Sequence, residues 1–592
     1  MNILGINAGF SRPLQSAPGA LRHPLSDGSA ALLSGGRLVF AGIEERHTGQ
    51  RYAGGFAQVV KAFWGSKPAD GVDKIDLVAV SSCCGPRWPS DAHSEIEIQS
   101  QLPLNIWPKG ERISDRLVVV DHHDSHASLG FVLSGANKAL VAVIDGFGNL
   151  LEESNWSARE WWRGAFQRHS YYMAERLEAG FVLRRIGADA EGFDELGIGE
   201  AYRALAHFCG WNSYQHAGSA MALAAFGVPG RVHNVPFIEL VDNRIRCRLP
   251  NDHPRPAESI AAFLREHGHE IPPMLGRTAT PGDKAHCDVV RALQDQLTEA
   301  LCGRLLRLAE EQKTDTIVVA GGVALNCLAM GQLQRRFAGK VFVPPAPSDT
   351  GQGLGNAIWA ASCVDSPCFA GSGAVVSHAE SPFWGIPSEG ITPRARKRLA
   401  QDEFVILENQ SEVDQYRMAA RALAVGKVVA VSMGRSEYGP RALGRRSVLA
   451  DPRDRMSPAR VNKFKNREAH RPFAPAILEE KTMEFFAWPV VSPYMSFAVQ
   501  MRADAKDKIP AVVHADGTAR VQTVAQDSRS PLRRILEQFY ALTGIPVLLN
   551  TSFNRKGEPM VQTQDEAVDS FINSNLDVLL IDGMTIQRKE QK

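Results

Sequence analysis

The sequence predicts an α/β protein of two unequal parts, and three observations carry that expectation. Apolar runs of strand length alternate with segments of helical period through most of the 592 residues. The composition, 44% hydrophobic and 22% charged, is that of a globular protein with enough apolar residues for large cores. Between Cys363 and Pro393 a stretch rich in Gly, Ser and Pro with weak periodicity breaks the pattern and reads as a junction. We therefore expect a first domain over residues 1–375, a linker over 376–400 and a smaller second domain over 401–592.

The elements follow in order. Ile3 to Asn7 is the first apolar run. After a Pro/Ser-rich insertion, GSAALLSGGRLVFAGIEE places two strand-like runs on either side of Ser34, Gly35 and Gly36, the pattern of a hairpin. Asp76 to Ser81, Arg116 to Val120 and Ala139 to Asp145 are further strands, and Val289 to Glu311 has helical spacing leading into a strand at Thr316 to Ala320. Past the junction, Ala424 to Met433, Tyr494 to Met501, Pro531 to Leu542 and Ile545 to Asn550 repeat the mixture over about 200 residues. There is no short-period repeat of solenoid type.

Charge and cysteine usage exclude several classes. Lys plus Arg total 66 against 65 Asp plus Glu, so a net charge of +1 rules out the overall basicity of a protein that coats nucleic acid or an anionic membrane; any anion binding is local. The nine cysteines have no repeated spacing, and Cys83-Cys84 is not a CxxC pair, so neither a disulfide framework nor a thiolate zinc site is expected. The start MNILGINAGF lacks a basic segment followed by an apolar one, and no run approaches the roughly 18 apolar residues of a membrane span. A cytoplasmic location is expected.

Three motifs carry chemistry. Asp121-His122-His123-Asp124-Ser125-His126 contains HxxxH; on a helix, His122 and His126 share a face and can grip one cation. Asp145 closes an apolar strand, and Asp349 lies in the glycine-rich APSDTGQGLGNA. Two His with two Asp suits a borderline divalent metal such as Fe(II), Mn(II) or Zn(II). HxxxH by itself is more often a pair of hydrogen-bonded histidines, and His123 keeps that reading.

The second motif is the strand that ends in Gly321-Gly322-Val323-Ala324-Leu325-Asn326. It offers a turn and a helix start to a phosphate, or else plain turn chemistry. No Walker A pattern occurs. The third is GRSEYGPRALGRRSVLADPRDRMSPARVNKFKNREAHRPFAP, which packs Arg435, Arg441, Arg445, Arg446, Lys463, Lys465, Arg467 and Arg471 between glycines and prolines. Such density in a neutral chain suggests a polyanionic small molecule such as ATP with a phosphorylated donor. A solvated charged face and an RNA patch are the rivals, the latter weakened by the sparse aromatics Tyr438, Phe464 and Phe473. ARVQT (519–523) and LNTSFN (549–554) extend the pocket.

Read together, DGSAAL, EER, DHHDSHA, VIDGFGN, GGVALNC, PAPSDTGQGLGNA, GRSEYGPRALGRRSVLADPR, HRPFAPAIL, ARVQTV and LLNTSFNRKGEP run in order over nearly the whole chain, which resembles the O-carbamoyltransferases of the NodU/CmcH/TobZ type. The resemblance implies an actin/sugar-kinase-like N-terminal domain, similar to the transferase of tRNA threonylcarbamoyl synthesis, and a YrdC-like C-terminal domain. The latter would turn carbamoyl phosphate and ATP, with Mg2+, into carbamoyl-adenylate. The former would pass the carbamoyl group to a hydroxyl of a small-molecule natural product beside a divalent metal, Fe(II) first among the candidates.

Carried over by motif, His122, His126, Asp145 and Asp349 look like metal ligands, and Asp27, Arg51 and His126 like the catalytic group. Gly321, Gly322 and Asn326 look like the adenylate side of the transferase. Arg435, Arg441, Lys465, Arg471, Ser496, Arg520, Asn550 and Ser552 look like the activation pocket. The expected partners are these substrates and, if the chain self-associates, a second copy, with no nucleic acid and no membrane. A threonylcarbamoyl-type tRNA transferase and a non-catalytic nucleotide-binding regulator are the alternative functions. The chain departs from the family's pattern where Ser26 precedes Asp27 and the nearest histidine is His23, where Arg51-Tyr52 replaces a Lys-His pair, and where Ser219 replaces a Lys.

Overall fold

The computed structural model describes residues 1–7, 27–65, 74–81, 113–146, 148–149, 165–178, 180–192, 195–212, 216–251, 255–363, 382–387, 389–400 and 403–589, with Val72 and Leu102 singly. His23, Ser26, Cys83, Cys84 and residues 364–381 of the expected junction lie outside the described residues. The chain divides into two compact units. The first comprises 1–39, 54–61 and 69–376; the second comprises 377–592 together with 40–53 and 62–68.

The first unit contains two five-stranded sheets of the same design. Strands β1 (Asn2–Asn7), β2 (Ser29–Ser34), β3 (Arg37–Ile43), β4 (Leu77–Ser81) and β5 (Leu117–Val119) form a sheet in the order β3-β2-β1-β4-β5. There β1 is antiparallel to β2 and parallel to β4, and β4 is parallel to β5. The hairpin between β2 and β3 falls where the sequence puts it, with Gly35 and Gly36 at φ +54° and +78°, the left-handed pair a tight two-residue turn requires.

Strands β6 (Lys138–Ile144), β7 (Ala165–Leu177), β8 (Gly180–Gly192), β11 (Thr316–Ala320) and β12 (Lys340–Phe342) repeat the plan in the order β12-β11-β6-β7-β8. Here β6, β7 and β8 form an antiparallel meander while β11 runs parallel to β6 and to β12. A duplicated meander extended by two parallel strands is the actin/sugar-kinase-like architecture that the resemblance implies. A separate hairpin, β9 (Ile238–Val241) with β10 (Arg244–Cys247), completes the unit's strands among the described residues.

β6 and β11 read as continuous apolar runs because they pair in parallel and are covered on both faces. Ala127 and Phe131 of the helix His122–Ser134 pack with Val141, Val143, Tyr172 and Val318. The helix Gln352–Cys363 lies so close to β1 that a Cβ on Gly5 would stand 2.0 Å from the Gly353 carbonyl oxygen, so this crossing needs glycine. The long helix begins at Lys284, five residues before the expected Val289; its first turn, Lys-Ala-His-Cys-Asp, hides its apolar period although His286, Cys287 and Asp288 are buried.

The second unit is a nine-stranded mixed sheet. Its strands are β13 (Phe404–Leu407), β14 (Val429–Ser432), β15 (Arg446–Ala450), β16 (Ala474–Leu478), β17 (Phe497–Gln500), β18 (Thr518–Val524), β19 (Val547–Ser552), β20 (Val578–Ile581) and β21 (Met584–Arg588), in the order β13-β21-β20-β14-β15-β19-β16-β18-β17. The expected run from Ala424 to Met433 resolves into a helix end at Ala424, a turn at Gly426 (φ +83°) and the four-residue β14.

Leu423, Val429, Val431, Leu449, Phe539, Leu548 and Leu580 build one core between the helices Glu412–Ala424 and Pro531–Thr543 and the sheet. Full burial of a side chain such as Phe539 contributes about 1.5–3 kcal/mol. Of the expected linker, 376–400, the described part buries Phe383, Trp384 and Ile386 and forms the helix Pro393–Leu399, capped by the Thr392 hydroxyl accepting from Ala395 N–H.

Candidate active site

Asp121 starts the helix His122–Ser134 as its N-cap, extended at φ −60° and ψ 137°, with one carboxylate accepting from the N–H groups of His123 and Asp124. One turn apart, His122 and His126 then face the ends of β6 and β11. Asp145 follows β6 directly, and Asp349 lies in the turn before the helix Gln352–Cys363. Ligands gathered outside the carboxyl ends of parallel strands are the general pattern of open α/β sheets.

The four side chains converge. Nε2 of His122 and Nε2 of His126 each lie 3.2 Å from Asp145 Oδ2 and 3.3 Å from Asp349 Oδ1. One proton serves one acceptor, so two ring nitrogens each aimed at the same two oxygens exceed what hydrogen bonding needs. A cation uses all four at once, and adjacent donors around an ion bound at about 2.0–2.2 Å stand roughly 3–3.4 Å apart. The four ligand atoms lie within 4.8 Å of one another. The donor set therefore fits a borderline divalent metal. Both Nδ1 atoms are buried without a hydrogen-bond partner among the described residues, so neither ring has its tautomer fixed from behind.

Electrostatics agree with the geometry. Burial pushes the His122 and His126 imidazoles down, but Asp349 and Asp145 outweigh it and hold His122 well above, and His126 above, the ordinary histidine value. Burial pushes Asp145 and Asp349 up, yet the facing imidazoles hold both below the usual carboxylate range, Asp145 strongly. His123 is pushed down to about 3 by burial and by His122, and its Nδ1 lies 2.8 Å from the Ser170 hydroxyl. It stays a neutral structural histidine.

The neighbours hold the ligands in place. His122 N–H donates to Asn149 Oδ1 (2.8 Å), and Gln352 Nε2 donates to the His122 carbonyl (3.0 Å). Asn7, at the end of β1, donates from Nδ2 to the carbonyls of Asp27 (3.1 Å) and Asp349 (3.0 Å). The structure thus brings Asp27, itself at φ +59°, to the edge of the histidine–aspartate group. The Asp349 side chain keeps 28% of its surface exposed while the histidines keep 2% or less, so the group opens on the Asp349 side.

The glycine turn after β11 is bonded within the fold, in the plain turn chemistry that the sequence also allows. Gly321 N–H donates to the Pro347 carbonyl (2.8 Å) and Gly322 N–H to Asp145 Oδ1 (3.1 Å). Asn326 caps the helix Cys327–Arg336 through Ala329 N–H, and its amide pairs with that of Gln294 (3.0 and 3.2 Å). These groups have partners within the fold: Asp145 for Gly322, Pro347 for Gly321, and Gln294 and Ala329 for Asn326.

A second polar centre lies in the second unit. Lys465 ends the helix Ser457–Lys465, and its buried Nζ donates to the Ser552 carbonyl (2.6 Å) and hydroxyl (3.0 Å) and to the carbonyl (2.6 Å) and Oδ1 (2.7 Å) of Asn554. Arg467 stacks 4.4 Å above the Phe473 ring and donates to the Arg471 and Pro472 carbonyls. Burial, then Arg467, Arg471 and Arg51, hold the Lys465 ammonium well below the usual lysine range. Burial, then Arg471 and Arg520, push Arg467 down to about 9. Burial also lowers Arg471; Glu468 opposes the shift and Arg51 and Arg520 reinforce it.

The expected pocket residues divide. Arg51, grouped by motif with Asp27 and His126, falls in the second unit and adds to the field on Lys465 and Arg471. Asn550 donates to the Ala442 carbonyl and Gln522 Oε1, leaving its buried Oδ1 without a partner among the described residues. Arg441 and Ser496 are half-buried, the latter donating its N–H to the Ser492 hydroxyl.

Arg435 is instead a structural tie, donating to the carbonyls of Gly385 (2.6 Å) and Trp384 (3.3 Å). Arg446, fully buried, donates to the carbonyls of Met433, Gly434, Arg445 and Gln562. The loop itself is wound on Glu437, whose Oε1 accepts from the N–H groups of Leu443, Arg445 and Arg446. Sequence reasoning missed Gln352, Asn149 and Glu437. All three stand in motifs of the sequence, Gln352 in DTGQG, Asn149 at the end of VIDGFGN and Glu437 in GRSEYGP, and could have been found there.

Comparison with known proteins gives two family models in order: "Carbamoyltransferase N-terminus" over residues 107–358 and "Carbamoyltransferase C-terminus" over 420–588. Nodulation protein NolNO of Sinorhizobium fredii is 29% identical over 613 residues, covering 100% of this chain and 83% of that protein. Nodulation protein NolO of Bradyrhizobium diazoefficiens is 32% identical over 480 residues, covering 79% of each. Nodulation protein U of Rhizobium tropici is 34% identical over 575 residues, covering 90% of each.

Proposed function

Because this chain belongs to the carbamoyltransferase family, we propose that it carries out ATP-dependent O-carbamoyl transfer in two steps, one in each unit. Carbamoyl transfer from a donor to an acceptor is the family's activity; the donor, the acceptor and the division of labour are our reading. The observation that carries it is that one chain holds two polar centres of opposite design, a His2Asp2 group in the first unit and, in the second, a cluster in which cations outnumber the carboxylates Glu468 and Glu558 that face them.

In the first step, carbamoyl phosphate and ATP enter the second unit. Water first cleaves carbamoyl phosphate, releasing inorganic phosphate and leaving carbamate. A carbamate oxygen then attacks the α-phosphorus of ATP and pyrophosphate leaves with its electron pair, so that carbamoyl phosphate, ATP and water give carbamoyl-adenylate, pyrophosphate and phosphate. Arg441, Arg471 and Arg520 bind the phosphate oxygens, and Lys465, whose Nζ is engaged by Ser552 and Asn554, adds its charge to the pocket as negative charge develops; Ser552 and Asn550 orient the carbamate. This is the role the YrdC-like resemblance assigns. Adenylation suits the chemistry, since AMP is a far better leaving group than hydroxide.

In the second step the acceptor hydroxyl oxygen attacks the carbamoyl carbon, the bond to AMP breaks, and the hydroxyl proton passes to a carboxylate at the open edge, where Asp349 and Asp27 lie. His122, His126, Asp145 and Asp349 would hold a divalent metal, Fe(II), Mn(II) or Zn(II), which supplies Lewis-acid polarisation of an oxygen at that point. The acceptor we propose is a hydroxyl-bearing small molecule.

The test is pyrophosphate release. Purified protein with Mg2+, ATP and carbamoyl phosphate should release pyrophosphate without any acceptor. Pyrophosphate release that strictly requires an acceptor would remove the adenylate from the mechanism.

A further inference from the structure

Asp145 presents only one of its oxygens to the histidines. Oδ1 accepts from Gly146 N–H (2.8 Å) and Gly322 N–H (3.1 Å), and Oδ2 is the oxygen that lies 3.2 Å from both Nε2 atoms. That orientation depends on where the Asp145–Gly146 peptide sits, and Arg168 of the neighbouring β7 grips the peptides on either side of it. The Arg168 carbonyl accepts from Asp145 N–H (3.0 Å), and its guanidinium Nη1 donates to the Gly146 carbonyl and to Glu200 Oε2 (2.8 Å). Nη2 reaches the carbonyls of Glu195 (2.7 Å) and Gly192 (3.2 Å).

Arg168 and Glu200 are 0% and 4% exposed. Glu200 lies in the first turn of the helix Ile198–Phe208. Gly199 beside it packs so tightly that a Cβ there would stand 2.8 Å from Gly146 N and 2.9 Å from the Asp145 carbonyl oxygen.

A buried ion pair is not needed merely to fill a core, since apolar residues of similar volume are often as stable or more so. A guanidinium does what an apolar chain cannot: its planar fork ties acceptors from several segments in one fixed geometry. Here it joins the end of β6, the end of β8 and the start of a helix at the one peptide that aims a proposed ligand. We propose that Arg168 and Glu200 are positioning residues that fix the direction of Asp145 Oδ2 toward the metal position. This rests on the metal reading given above.

The experiment titrates Co2+ into the full-length parent, Arg168→Lys, Glu200→Gln and Gly199→Ala, following the d–d absorption bands and the dissociation constant, with circular dichroism of the metal-free proteins as a folding control. Groups behind a ligand typically change metal affinity by about 10–100-fold. We expect Co2+ binding weakened within that range and shifted bands for Arg168→Lys and Glu200→Gln. The same is expected for Gly199→Ala, which moves the same peptide with the ion pair intact. If folded Glu200→Gln and Gly199→Ala bind Co2+ with parental affinity and spectrum, the pair is core only and the proposal is wrong, whatever becomes of Arg168→Lys. A parent that takes up no Co2+ ends the metal reading itself, and this proposal with it.

Discussion

The histidine–aspartate group and the cation cluster are both buried, both polar and both built at strand and helix ends, yet their electrostatics are opposite. In the first unit each charge faces its complement: two carboxylates raise two imidazoles and are themselves held down. In the second, burial lowers Lys465, Arg467 and Arg471, and neighbouring cations add to it: Arg467, Arg471 and Arg51 on Lys465, Arg471 and Arg520 on Arg467, and Arg51 and Arg520 on Arg471, against the opposing pull of Glu468, Glu558 and Tyr52. A self-compensated group is ready to exchange protons for a cation. A frustrated one is stabilised by whatever anion enters. Affinity for opposite kinds of ligand is thus written into the pairing pattern.

The sharpest way to break this contrast is to remove one donor from the first unit. His126→Ala or Asp349→Ala should abolish metal retention and lower acceptor carbamoylation by on the order of 1,000-fold, while acceptor-independent pyrophosphate release stays close to the parent's. Metal analysis of the purified proteins should give near one divalent ion per chain in the parent and far less in either variant. Undiminished metal content would return His122 and His126 to the role of a hydrogen-bonded pair.

The reciprocal change comes next in size. Arg471→Ala should lower pyrophosphate release by about 100-fold or more, because a phosphate-binding guanidinium in a desolvated site is worth several kcal/mol, and should leave the bound metal untouched. Full activation in that variant would exclude Arg471 from the anion pocket.

The two centres were unequally legible in the sequence. His122 and His126 follow from one spacing, and Asp145 from its place at the end of an apolar run, because helix and strand periodicity are local properties. The cation cluster was visible only as a density of Arg and Lys. Which guanidinium meets a ligand and which meets a carbonyl is decided by segments far apart in sequence: Arg435 is tied to Gly385, Arg446 to Gln562, and Arg51, 414 residues before Lys465, acts on its charge. The fold was legible in β1 to β6, in β11 and in the first hairpin, but the 13-residue strands β7 and β8 were not read from the sequence. The start of the long helix was not, because buried polar residues such as Asp288 do not announce themselves.

Proton linkage separates the two centres further. An anion bound among Lys465, Arg467 and Arg471 favours their charged forms, so the bound-state pKa values rise above the free-state ones. For Arg467, lowered to about 9 in the free protein, the contribution to binding is full below that pH and declines as pH rises through it; Lys465, lowered in the same direction, adds to the decline. Calorimetric titration with pyrophosphate in buffers of different ionisation enthalpy should show proton uptake near pH 9 and affinity falling by up to about tenfold per pH unit above it. Arg467→Gln should reduce the uptake, since it removes one titrating group and relieves Lys465. Uptake unchanged in that variant would place the anion elsewhere.

The smallest expected effect concerns Asn326, which the motif places beside an adenylate and the structure places under a helix. Its Oδ1 accepts from Ala329 N–H (3.1 Å) and from Gln294 Nε2 (3.2 Å), and one N–H of its Nδ2 donates to Gln294 Oε1 (3.0 Å), so three of its four hydrogen-bonding positions are used to hold the helix and Gln294. Asn326→Ala removes an N-cap, worth about 1 kcal/mol, and leaves the buried Gln294 amide without this partner, worth about 1–3 kcal/mol more. Urea unfolding should therefore register a loss of roughly 2–4 kcal/mol, while pyrophosphate release at saturating ATP and the KM for ATP stay within about twofold, inside the tenfold that 1.4 kcal/mol would give. Asn326→Ser, which keeps a capping hydroxyl, should recover the cap's share of the stability and leave the nucleotide kinetics equally unmoved. A rise of tenfold or more in the KM for ATP in both variants, without a matching loss of stability, would put Asn326 back on the nucleotide and make the glycine turn a part of the activation chemistry after all.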